Sequence, residues 1–161
     1  MLQEPDSINK KTIIIHGNNK ASLNVELAET LRNVVAVKHV RSYATIGTTP
    51  TGTDFKPVFI KINEFNLKDV HINDGEIMPI FTHLIFEPSK SSANYISAKS
   101  GSTGIISDFR ADVDNFVCNP FIPSLNKLNV EFVNKDGTSI ELTEFMIEIC
   151  IYSTHAKLTM N

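Results

Sequence analysis

The side chains of this chain that could do chemistry are five histidines, two cysteines and a group of three neighbouring aspartates. None of His16, His39, His71, His83 and His155 stands at the His-x-His or His-x-x-x-His spacing that lets one strand or helix turn aim two imidazoles at a metal. His83 lies between Thr82 and Leu84 in an alternating run and reads as a packed or surface histidine. Asp108, Asp112 and Asp114 surround Arg110. Carboxylates so spaced can hold Ca²⁺ through oxygen, but the glycine and terminal glutamate of an EF-hand loop are missing, and a solvated acidic loop is the reading. Residues 100–104, Ser-Gly-Ser-Thr-Gly, lack the Gly-Lys-Ser/Thr ending of a phosphate loop. No Gly-x-Ser-x-Gly elbow occurs. Cys118 and Cys150 have no flanking residues that suggest a nucleophile. They read as small, half-buried thiols in a reducing compartment, with a single bridge between them left open. The expectation is a chain with no catalytic residue, no metal and no cofactor: not an enzyme.

The elements that carry these residues show period 2, the mark of half-buried strands. Residues 12–16 are a β-branched run. Leu23, Val25 and Leu27 alternate with Asn24 and Glu26, and residues 34–46 are rich in Val, Tyr, Thr and Ile. Val58, Ile60 and Ile62 share one face, as do Thr82, Leu84 and Phe86. Leu128, Val130 and Phe132 form another stripe, and Phe145, Ile147, Ile149 and Ile151 the last. Residues 95–98, 104–109 and 114–117 are weaker strand candidates. Turn chemistry separates the runs at residues 17–19, 47–54, 73–75, 88–94, 119–120 and 135–137. Asp136-Gly137 between two alternating runs predicts that the last two strands form a hairpin. Only residues 25–34 suggest a helical turn or two. Strands without interleaved helices predict an antiparallel sandwich or barrel rather than a parallel α/β sheet.

Composition bounds the rest. A chain of 161 residues fits one domain with a real core. With 15 basic against 18 acidic residues, the net charge of −3 offers no basic excess for phosphate backbones, so nucleic acid is not an expected partner. The polar residues 1–11 lack the apolar stretch of a signal peptide, and no apolar run approaches the ~20 residues of a membrane helix. Synthesis in the cytoplasm and no direct membrane insertion are therefore expected. Ten Phe, three Tyr and no Trp count against a sugar platform.

The C-terminal half resembles the single jelly-roll capsid proteins of nucleocytoplasmic large DNA viruses. The resemblance runs through Asn119-Pro120, the strand Leu125-Asn126-Lys127-Leu128-Asn129-Val130-Glu131-Phe132, the turn Lys135-Asp136-Gly137 and the aliphatic strand from Phe145 to Ile149. The N-terminal half is similar too, in the link Leu31-Arg32-Asn33-Val34, the Val-rich run after it and residues 58–65. Residues 20–153 are covered, as a pattern of apolar spacing and turns rather than of rare residues. The resemblance implies an all-β fold, a single jelly-roll β-sandwich of about eight antiparallel strands in two facing sheets. It implies a structural virion protein of a large dsDNA virus, the penton at the fivefold vertices of an icosahedral capsid, and a virion-capsid location after assembly in the host cytoplasm. Expected partners are further copies of the chain as a homo-oligomer, a pentamer first, with the major capsid protein and other minor capsid proteins. The alternatives are another minor capsid protein, a ligand- or receptor-binding jelly roll, or a small cupin-like enzyme, whose Gly- and His-rich motif is absent.

Residues 1–10 are expected as a flexible arm, residues 11–153 as the jelly-roll domain and residues 154–161 as a tail. Arms order against partner subunits, and long small-residue loops such as 44–56 are usually functional or disordered. Phe121 and Ile122 follow a stiff Asn119-Pro120 corner and either plug the sandwich or face a neighbour. The expected subunit-interface residues are accordingly Ile8, Lys10, Ile46, Thr49, Pro50, Phe55, Phe121 and Ile122.

Overall fold

Val, Ile, Thr and aromatic side chains pack well across a pleated backbone, and the stretches rich in them are the ones that pair. The structure, a computed structural model, describes residues 8–51, 53–65, 69–96 and 115–154. Nine strands follow in order: β1 (Ile8–Lys20), β2 (Ser22–Thr45), β3 (Lys56–Ile62), β4 (Asp69–Asn73), β5 (Glu76–Ile80), β6 (Thr82–Phe86), β7 (Ser92–Ile96), β8 (Asn115–Val133) and β9 (Leu142–Thr154). Seven of them form one antiparallel sheet in the order β1-β9-β2-β8-β3-β6, with β7 on β2; β4 and β5 pair separately.

The sheet curls into a half-barrel because β2 serves both of its halves. Its first part pairs with β8, from Ser22 opposite Glu131 to Lys38 opposite Asn115. Its second part pairs with β9, from Val34 opposite Ser153 to Thr45 opposite Glu144. Bulges sharpen strand twist and bend the chain, and β2 has several. Glu26 faces Lys127 but Leu31 faces Leu125, so the extra residues lie on β2; Val34 faces Ile122 but Ala36 faces Val117, so the next excess lies on β8. The second irregularity cancels the first, since Ser22–Glu131 and Lys38–Asn115 belong to one register. The concave face holds the main core, in which Val34, Ile60, Ile62, Leu128, Phe132, Ile149 and Ile151 are fully buried. Each large side chain so buried contributes roughly 1.5–3 kcal/mol.

The all-β antiparallel expectation holds, with four differences. The ladder runs unbroken through β2, where two separate sheets were expected. Residues 25–34, expected to turn as a helix, are strand; the charged stretch from Glu26 to Arg32 spans the first bulge, after which Leu31 is back in the core. Asn119-Pro120 does not end a strand but falls in the irregular stretch of β8. The Asp136-Gly137 turn forms, with Gly137 at φ 84°, yet the last two strands are not a hairpin. Pairing past the turn stops at one bridge, Val133 to Ser139, and a bond from the Ile140 amide to the Phe132 carbonyl. β8 already has β2 on one edge and β3 on the other. With no free edge there, β9 crosses over and inserts between β1 and β2.

Candidate interaction surface

The two-stranded sheet is a hairpin with two unlike faces. Asn73-Asp74-Gly75-Glu76 forms its turn, with Asp74 at φ 49° and Gly75 at φ 85°. Positive φ at both central residues matches the twist of a two-residue hairpin, and Asp-Gly tolerates it. Ladder pairing puts His71 beside Met78 on one face, and Val70, Ile72, Ile77 and Pro79 on the other. The first face packs inward: the His71 ring lies 4.1 Å from that of Phe59, and Met78 rests on Phe59, Ile80 and Val133. The second face has no cover among the described residues. Val70, Ile72 and Ile77 are 53%, 62% and 69% exposed. Exposed single aliphatics are ordinary, but several on one face of one small element mark an interaction surface. The hairpin carries Asp69, Asp74 and Glu76 and neither Lys nor Arg.

A second exposed region is β1. It is an outer strand of the sheet, bonded to β9 alone among the described residues. Unpaired strand edges template further pairing unless charges blunt them. β1 bears Lys10, Lys11 and Lys20 with no acidic residue, and its Ile14 is 61% exposed. Beside it, Ile13 of β1 and Val25, Leu27 and Leu31 of β2 line a groove of about 190 Å³. The Lys11 ammonium, 3.0 Å from a Glu29 carboxylate oxygen, lies across its rim.

The expected contact residues are scattered. Ile8 opens β1 opposite Thr154, so the strand begins inside the expected arm, of which residues 1–7 lie outside the described residues. Lys10 is exposed on β1, Thr49 is exposed, Pro50 is half-buried, and Phe55 is 63% exposed. Ile46 is buried in the main core. Ile122 is half-buried against that core, and Phe121 lies on β8 with its side chain outside the described set. The hairpin face went unread at the sequence level. Its turn was visible and β4 alternates, with Val70 and Ile72 between Asp69, His71 and Asn73, but a five-residue apolar stripe does not say whether anything covers it.

Titratable groups elsewhere serve local structure. Arg41 pairs across the ladder with Glu148, whose hydrogen bond and charge raise the guanidinium pKa. Lys90 is raised by Glu87, which accepts its hydrogen bond at 2.8 Å. The Glu64 carboxylate accepts from the Asn129 backbone amide and, at 2.8 Å, from its side-chain amide, which ties the β3 end to β8. Lys38 is 2% exposed opposite Cys150. Cys150 is a free, buried thiol packed with Ala36 and Tyr152, 3.6 Å from the Thr12 hydroxyl. No group of three metal-ligating side chains converges among the described residues, and Asp108, Asp112, Asp114 and residues 100–104 lie outside them. No helix there is long and apolar enough to cross a membrane. No protein-family model matches the chain, and comparison with curated proteins finds no relative.

Proposed function

We propose that the chain is a self-assembling structural subunit: a jelly-roll capsid protein acting as the penton at the fivefold vertices of a large dsDNA virus. The observation that carries the reading is the apolar face of the β4–β5 hairpin, uncovered among the described residues, which self-association would bury. The curled antiparallel sheet and the resemblance along residues 20–153 support it. Native mass spectrometry of the purified chain over a range of concentrations tests it. Pentamers of the 17.9 kDa chain are expected. A chain that stays monomeric at its highest soluble concentration overturns self-assembly. A trimer, or a different minor capsid position for the same subunit, removes the vertex role. A second reading, a ligand-binding jelly roll, is favoured by the groove between β1 and β2. It predicts a ligand-dependent rise in melting temperature for a monomeric chain.

A further inference from the structure

The hairpin and β1 are complementary in character and lie on different elements of the same molecule. Residues 69–80 carry three acidic side chains and neither Lys nor Arg, and present Val70, Ile72 and Ile77 outward. β1 carries three lysines and no acidic side chain, and presents Ile14 outward on a strand that, among the described residues, is bonded along one edge. Lys10 and Lys20 are exposed, as are Asp74 and Glu76. We propose that the acidic, apolar hairpin of one copy docks on β1 of the next copy of the same chain. This rests on the self-assembly reading above and deepens it by naming the two surfaces in contact.

Three physical arguments favour a second copy as the occupant. Apolar side chains exposed on both surfaces gain from being buried together. The charges around them have opposite sign, which steers the encounter and fixes orientation. Like surfaces do not pair well here: hairpin against hairpin brings Asp74 and Glu76 against their own kind, and two β1 strands add six lysines to one interface. Contact between unlike patches is heterologous. Such contacts propagate head to tail, and they close into a ring when the rotation permits. An open chain leaves the hairpin unused at one end and β1 unused at the other, so rings are favoured over short chains.

The experiment uses exposed positions, so that folding is spared. Glu76→Lys with Asp74→Asn removes the acidity of the hairpin tip, and asparagine keeps a residue that tolerates φ 49° there. Lys10→Glu with Lys20→Glu reverses β1 while leaving the Lys11–Glu29 pair intact. Each pair alone is expected to raise the concentration needed for assembly about tenfold or more. All four changes in one chain reverse the sign at the hairpin tip and along β1 together and are expected to return assembly to within about threefold of the original. Ile72→Thr with Ile77→Thr should also weaken assembly, through lost apolar contact and with unchanged salt dependence. Circular dichroism of each variant checks that the fold persists. If the original chain assembles and the single-sided variants match it, the docking proposal is overturned while self-assembly stands. If both single-sided variants fail and the swapped chain is not rescued, the two surfaces do not meet, and the proposal is again overturned. A chain that never assembles defeats the self-assembly reading and this inference with it.

Discussion

Gly17 sits opposite Phe145 in the β1–β9 ladder, and the Phe145 ring lies over it. A Cβ added there would meet the ring at 2.6 Å. Phe145 is buried and packs edge-on against Phe132 at 4.6 Å, so it has nowhere to move. An aromatic ring laid over a cross-strand glycine is a recognised way of stabilising a glycine within a sheet. Gly17→Ala is expected to destabilise the fold by about 1–3 kcal/mol through overpacking. Chemical denaturation measures it, and adding Phe145→Leu should recover part of that loss rather than add the full cost of a second defect. Asp136 illustrates a different residue-scale device. Its carboxylate accepts from the Thr138 hydroxyl at 2.6 Å and from the Thr138 amide at 3.1 Å. Those bonds hold its pKa below the ordinary 3.8. Its contribution is therefore complete above the unfolded value and disappears as pH falls through the lower folded one. An NMR titration should show the carboxyl titrating below 3.8, and Thr138→Val should move it back upward.

At the scale of elements, the turn after β8 ends one strand and redirects the chain to another part of the sheet. Gly137 adopts φ 84° there. Gly137→Ala should cost about 1–2 kcal/mol, the penalty of a left-handed residue bearing a Cβ, read from the denaturation midpoint. The turn was visible in the sequence because Asp-Gly has one strong backbone meaning. Its consequence was not visible, because local residues do not say which strand edges are already occupied. The same distinction runs through the fold. The stripes of β3, β6 and β9 follow from alternation, which records burial on one face directly. β2 could be read only as two separate stretches, since its bulges break the alternation where it bends. The β4–β5 hairpin escaped because exposed isoleucines imitate core residues in composition. A candidate surface of this kind is defined by what is left uncovered, which only the assembled sheet reveals.

For the whole molecule, neighbours in the sheet are distant in sequence: the first described strand pairs with the last, and β2 with both β8 and β9. Closing such loops before their contacts form is entropically slow. Refolding in the range of ms to s is expected, as for other β-rich folds dominated by non-local pairing. Stopped-flow fluorescence cannot use tryptophan in a chain with none, so far-UV circular dichroism is the suitable probe. A microsecond phase carrying the full amplitude would contradict this ordering. The pairing of β1 with β9 also sets how the molecule bears load. Ile8 faces Thr154 at one end of that ladder, and Lys20 faces Leu142 at the other. Tension applied through residues 8 and 154 therefore pulls across the strands and not along them. It opens the ladder one bond after another, like a zipper, with no set of bonds resisting together. A partner lying along β1 would clamp that seam, so that a chain which peels readily when alone resists traction once it stands among its neighbours.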